Sequence, residues 1–248
     1  NDSESQGTFW VNMPDFASSV DNIQIQRGVG TSTNGAGAFG GSLNIQTTTL
    51  RDSAYAELNN TFGSYQTLKN TVNVGTGLIN SKFSFDGRLS RIKSGGYIDR
   101  GSSDLKSYFL SGAYYGKASL LRANVFSGTE KTYQAWNGIP ENLLNTNRTF
   151  NSFTYDDQTD NYVQNHYQLL YSKTISSKVT ANAALHYTGG KGYYEEFRQN
   201  QSLANYGLAP YIAGATTITK SDLVRRRWLD NDFYGMTYSL NYNPSTTL

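Results

Sequence analysis

Several residue groupings in this 248-residue chain have the types and spacing to do chemistry. Gly35-Ala-Gly37-Ala-Phe-Gly40 has the G-x-G-x-x-G spacing in which backbone N–H groups at a helix start cradle a dinucleotide pyrophosphate. That chemistry needs a strand before the glycines, a helix opening on the last one, and an acidic residue roughly 20 positions later. Ile23-Gln-Ile25-Gln-Arg27 alternates as a strand, and Glu57 stands near the acidic position. Yet Ser42-Leu-Asn-Ile-Gln-Thr-Thr-Thr49 is β-branched and alternating, with no apolar helical face. No helix follows, and the nucleotide reading fails on context.

The titratable groups make no catalytic constellation, so no enzyme activity is expected. His166 and His186 fall on apparent inward faces of neighbouring strands, but a metal site would need further ligands. Hydrogen-bonded wall residues are the simpler reading. Glu195-Glu196 and Asp156-Asp157 read as solvated loop charges, and adjacent carboxylates point apart on an extended chain. The better binding candidates are aromatic. Tyr133, Trp136 and Asn137 fall in a long connection at 132–160, and Tyr193, Tyr194 and Phe197 in another at 190–226. Flat rings there could stack on a ligand, with Arg225-Arg226-Arg227 gripping ligand carboxylates or lipid phosphate. Loop packing and a solubilising loop end are the plain alternatives.

Strands must position these groups. The chain is rich in Tyr, Phe and Gly and poor in Pro, yet holds no run of about 18 apolar residues that could form a membrane helix. Half-polar strands suit that composition, in a sandwich or an outer-membrane barrel. The absence of Cys excludes a disulfide framework and thiolate metal sites, and a net charge of +2 gives no field for nucleic acid. The polar, acidic start Asn1-Asp-Ser-Glu-Ser-Gln6 is no signal peptide; a leader was removed, or the chain begins partway through a larger protein.

Period-two alternation marks eight segments near 53–63, 66–78, 81–93, 105–115, 118–131, 161–173, 178–189 and 227–242. Tyr234, Met236, Tyr238, Leu240 and Tyr242 share one face against Gly235, Thr237, Ser239 and Asn241. Short turns alternate with long connections, the pattern of a bilayer-spanning barrel. Lys69, Asp86, Arg88, Arg122, Asn124, His166 and His186 fall on the inward faces, so the interior is wet or filled by a polar plug.

The opening segment then gains a meaning. Strand residues Asp21 to Arg27, the pair Arg27-Gly28, the glycines Gly35, Gly37, Gly40 and Gly41, and the final strand Asn44-Ile45-Gln46-Thr47 follow one another in order. This order resembles the end of the plug domain in TonB-dependent outer-membrane receptors. The resemblance implies an all-β membrane protein: an antiparallel transmembrane β-barrel, about the first eight of 22 strands, plus the C-terminal part of an α+β plug. Residues 1–50 would be plug and 51–248 barrel, a fragment of the receptor. Asn34-Gly35 and Phe39-Gly40 resemble the siderophore, haem and cobalamin branch more than the glycan importers.

The resemblance further implies import of a scarce small-molecule nutrient in the outer membrane of a Gram-negative bacterium, with the TonB energy-coupling complex as partner, lipid around the barrel, no nucleic acid and no cofactor. The glycines would make tight turns beside the barrel wall with no room for Cβ atoms. Arg27 would fasten plug to barrel, with Glu57 or Asp86 accepting its guanidinium. A complete eight-stranded barrel serving as an adhesin or structural protein is the alternative; a carbohydrate-binding β-sandwich comes third.

Overall fold

The computed structural model describes residues 9–28, 40–47 and 50–244. Two 3-10 turns, Trp10–Asn12 and Phe16–Ser19, lead into β1 (Val20–Arg27), which pairs antiparallel with β2 (Gly41–Thr47). Arg27 lies opposite Gly41, and Gly28 N–H donates to Gly40 O at 3.1 Å. Gly28 has φ +78°, the left-handed backbone that glycine adopts without strain. A Cβ at Gly28 or Gly40 would meet nothing within 4 Å, so the expected crowding against a wall does not hold there. At Gly41 it would come 3.1 Å from Gln26 O. Gly35 and Gly37 lie outside the described residues. Among the described residues of this region there are 3-10 turns and a hairpin but no α-helix, so the expected α component of a plug is not seen.

The rest is one antiparallel sheet of β3 (Tyr55–Gly63), β4 (Thr67–Gly75), β5 (Phe83–Ser94), β6 (Ser103–Gly116), β7 (Ser119–Tyr133), β8 (Thr159–Ser176) and β9 (Val179–Ser202). A small hairpin, β10 (Tyr211–Ala213) and β11 (Thr216–Ile218), precedes the last strand, β12 (Lys220–Tyr242). Each sheet strand pairs with its predecessor, and β12 joins β9. β3 and β12 stand at opposite edges of the eight-stranded sheet. These strands therefore do not close on themselves, which counts against a complete eight-stranded barrel.

Short connections 117–118 and 177–178 lie at one end of the sheet, and 134–158 and 203–219 at the other. The connection between β3 and β4 breaks the pattern. It is a tight turn in which Tyr65 and Gln66 both have φ +58°, the mirror-image geometry that suits the twist of a hairpin.

Two differences from the sequence reading concern the last strands. β9 continues to Ser202 and β12 starts at Lys220, so most of the expected loop at 190–226 is ladder. Tyr193, Tyr194, Phe197 and the Glu195-Glu196 pair are strand residues. Cross-strand pairs replace apolar alternation as the cause: Arg225 Nε meets Glu196 Oε2 and Arg226 Nε meets Glu195 Oε2, each at 2.6 Å. Asp156 and Asp157 do lie in a turn.

The burial is inverted relative to a water-soluble sheet. On one face large apolar side chains stand bare, with Tyr238 82% and Phe62 80% exposed; on the other, Thr71 is 1% and Arg88 3% exposed. The second face is covered because residues 9–19 lie across it. Gly128 on β7 makes room for this approach, since a Cβ there would collide with Asn12 O and fall 2.6 Å from Pro14 Cδ. Strand register places Lys69, Asp86, Arg88, Arg122, Asn124, His166 and His186 together on that covered face.

Candidate ligand site and its fastening

The covered face holds two acidic centres. The first is Asp15, raised into the left-handed region (φ 54°) after Pro14 and pointed at the sheet. Lys69 Nζ forms an ion pair with its Oδ1, and Arg88 Nη1 approaches Oδ2 at 3.4 Å. Thr71 Oγ1 donates to Oδ2 at 2.7 Å, Ser90 Oγ at 2.5 Å, and Ser18 Oγ to Oδ1 at 2.6 Å. Arg88 Nη1 also donates to Asp15 O at 2.6 Å. Both the Asp15 and Arg88 side chains are 3% exposed. Burial alone would raise the Asp15 pKa, but the hydrogen bonds from Lys69, Ser18, Ser90 and Thr71 outweigh it and hold the carboxyl below its ordinary 3.8.

Asp15 thus holds residues 9–19 against β4 and β5, the part expected of Arg27. The structure corrects that expectation. Asp86 Oδ1 accepts from Tyr55 Oη at 3.0 Å, and Glu57 Oε1 accepts from Asn59 Nδ2 at 3.2 Å. No ion pair joins Arg27 to either carboxylate among the described residues. The reason is position: Arg27 ends a hairpin whose residues are largely exposed, whereas Asp15 follows a buried proline on the contact itself.

Beside this lock an aromatic seam continues the contact. Phe16 packs against Phe126 (centroids 5.3 Å apart) and Phe109 (6.5 Å). Phe126 stacks on His166 at 4.4 Å, and His166 Nδ1 meets Thr188 Oγ1 at 2.9 Å. His186 packs on Phe233 at 5.1 Å. Both histidines are wall residues. Among the described residues, no three metal-ligating side chains come together.

The second acidic centre lines a cavity of about 360 Å³ beyond the seam. Phe9, Val11 and Asn12 bound it on one side, and Glu130, Asp160, Tyr162, Leu229 and Asn231 form the sheet wall, with Trp136 and Tyr194 beside them. Of the six expected ligand-binding residues, only Trp136 and Tyr194 reach it, their rings edge-on at 5.5 Å. Tyr133 is buried and donates its Oη to Tyr155 O at 2.7 Å. Asn137 Nδ2 donates to Ser152 Oγ at 2.7 Å within the loop. Tyr193, one position from Tyr194, faces the other side of the strand and packs on Trp228 at 4.8 Å, with Arg226 4.5 Å from its ring centroid. Phe197 stacks on Tyr155 at 5.7 Å.

The loop carrying Trp136 is tied down. Gln134, 1% exposed, donates from Nε2 to Glu195 O at 2.9 Å, and Asn151 Nδ2 donates to Gln134 O at 3.0 Å. The run Arg225-Arg226-Arg227 is likewise occupied: two members hold glutamates, and Arg227 lies 5.3 Å from the Tyr194 ring centroid. Sequence reasoning missed Asp15, Glu130, Asp160, Tyr162, Leu229 and Asn231. Lys69 and Arg88, the cations that hold Asp15, were visible only as inward positions, and Asp15 itself carried no signal.

No protein-family description matches the sequence, and no curated protein matches it. Solved structures do. The ferric-catecholate import receptor Fiu from E. coli K12, in its open form, superposes with a TM-score of 0.67 at 15% identity, over 92% of this chain and 37% of that one. BauA, the ferric preacinetobactin receptor from Acinetobacter baumannii, gives 0.67 at 14% identity over 91% of this chain and 33% of its own. The siderophore receptor PiuA from the same organism gives 0.66 at 12% identity over 92% and 33%. The likeness is one of fold, and the chain spans about a third of the length of these receptors.

Proposed function

From that shared fold, we propose that the chain is part of a TonB-dependent outer-membrane receptor, which binds a metal chelate or similarly scarce nutrient outside the cell and imports it through a plugged barrel. Residues 1–50 supply the plug's end, and 51–248 the first strands of the barrel. The bare apolar face meets lipid, the covered face lines the lumen, and the end bearing 134–158 and 203–219 faces outward. The observation that carries this reading is the inverted burial, with a charged, hydrogen-bonded sheet face covered by a docked segment and an apolar face left bare. It is joined by the plug-like order of residues 21–47 and by the receptor roles of the structural neighbours.

Trp136 and Tyr194 hold flat or cyclic parts of the cargo, and the Asp15 lock keeps residues 9–19 in place until the energy-coupling complex acts on the plug. No bond is made or broken, and the work is gated movement.

The test is growth of the source bacterium, with the gene deleted and restored, on ferric hydroxamates, ferric catecholates, haem and cobalamin in turn. Loss of growth on one of these, restored by the gene but not by a Trp136→Ala/Tyr194→Ala version inserted in the outer membrane, is expected. Unchanged growth on all four, or fractionation of the protein away from the outer membrane, would sink the proposal.

A further inference from the structure

Glu130 is the outlier of the covered face. It is 4% exposed and lines the cavity, yet no cation pairs with it among the described residues. Its hydrogen bond, from Thr132 Oγ1, is 3.4 Å long, well beyond the 2.5–3.0 Å usual for a hydroxyl donor. Asp160 lines the same cavity from the neighbouring strand, two residues from Tyr162, the ladder partner of Glu130, and among the described residues it too has no ion pair. Two carboxylates turned into one half-open cavity repel each other and resist desolvation unless a cation or a proton neutralises them.

The remaining lining says what kind of cation. Tyr162, Tyr194 and Trp136 present aromatic rings, Phe9, Val11 and Leu229 apolar surface, and Asn231 and Asn12 amides. A hard metal ion such as calcium is usually held by several carboxylates, and here only two acidic side chains converge, with no third His, Cys, Asp or Glu beside them among the described residues. An organic ammonium needs few acceptors and gains from ring faces and apolar walls. Asn231 Nδ2 donates to Tyr162 Oη at 3.2 Å, which fixes that ring in the cavity wall. Arg227, near the Tyr194 ring, pairs with neither carboxylate.

We propose that the cavity between residues 9–12 and the covered face is a subsite for an organic ammonium group, with Glu130 and Asp160 as its counter-ions and Tyr162, Tyr194 and Trp136 as its aromatic walls. Read together with the proposed import function, on which this further step rests, the cargo bears a positively charged amine at the end that enters first. A wholly anionic chelate is then a poor ligand for this receptor.

Two probe pairs separate the subsite from the cargo. The first is phenethylammonium against neutral 2-phenylethanol, followed by saturation-transfer NMR on the full receptor chain in detergent. The second is a ferric trihydroxamate with a pendant primary ammonium against its N-acetylated form, followed by tryptophan fluorescence. The charged member of each pair is expected to bind about tenfold more tightly. That preference should vanish in Glu130→Gln/Asp160→Asn, while 2-phenylethanol binding persists and reports an intact cavity. If the double variant does not fold, Asp160→Asn alone, at the less buried partner, carries the same comparison.

A ratio near one for the phenethyl pair, or a ratio unchanged in the variant, overturns the inference. Charged-probe preference without binding of either chelate keeps the subsite and removes the chelate as cargo. Equal binding of both chelates overturns the claim that the cargo is read by its ammonium group.

Discussion

Asp15 and Glu130 are both carboxylates at the interface between residues 9–19 and the sheet, and they differ in what surrounds them. Asp15 meets two cations and three hydroxyls. Glu130 meets one distant hydroxyl and open space. A saturated carboxylate is a fastening, since every partner it gains ties the segment to β4 and β5. An unsaturated one contributes nothing to docking and leaves its charge for something else to neutralise. The contrast separates the part of the interface that holds from the part proposed to receive a ligand.

Removing the saturated group should therefore have the largest effect. Asp15→Ala leaves Arg88 buried with its charge uncompensated, and stranding one member of a buried pair costs about 3–5 kcal/mol. Arg88 keeps Ser107 Oγ at 3.2 Å and a backbone carbonyl, which places the expected loss near the lower end. The measurement is hydrogen exchange of residues 9–19 in the full chain, which should speed up at least tenfold while the β6–β7 ladder stays protected. Exchange unchanged from the wild type would mean that the aromatic seam alone holds the segment.

Acid gives a milder version of the same experiment. The folded Asp15 pKa lies below 3.8, so its contribution is fully present above that value and is lost as pH falls through the lower, folded pKa. Segment protection should be the same at pH 7 and pH 5 and should fail only below the ordinary aspartate range. Failure already at pH 5 would contradict a depressed carboxyl and point to another titrating group.

The eight sheet strands and the two faces were legible because period two is a local property, repeated across many residues and hard to mimic by chance. Lys69 and His186, far apart in sequence, could both be placed inward from their neighbours alone. The outer halves of β9 and β12 were not legible. In Tyr193-Tyr194-Glu195-Glu196-Phe197-Arg198 both faces are mixed, and the pairing cause lies about 30 residues away in Arg225 and Arg226. Asp15 was hidden for the same reason. A single acidic residue after a proline looks like a turn until Lys69 and Arg88 are brought to it by the sheet. Trp136 and Tyr194 were found by type, but Tyr193 shows that type without a strand assignment does not separate a residue from its neighbour on the opposite face.

Glu130→Gln carries the comparison to the opposite sign. The amide keeps the shape and removes an uncompensated charge beside Asp160, so docking should be unchanged or strengthened by roughly 1 kcal/mol. Thermal unfolding of the purified chain reads this directly. A loss comparable to that of Asp15→Ala would show that Glu130 is a fastening after all.

The smallest effect is expected where charges are paired in the open. Arg226 holds Glu195 at 2.6 Å, but its own side chain is 52% exposed, so water and salt screen much of the attraction. Arg226→Ala should change stability little, and less still at high salt. Glu195 is 5% exposed and also accepts from Tyr155 Oη at 3.2 Å, which leaves it a partner when the guanidinium is gone. The same substitution removes a cation from the face of Tyr193, so Tyr193 and Trp228 should gain mobility without any change at Trp136. NMR linewidths of the three indole and phenol groups separate those outcomes. Movement of Trp136 in Arg226→Ala would show that the two faces of β9 are coupled, and that the cavity is held from the outside of the sheet as well as from the segment that crosses it.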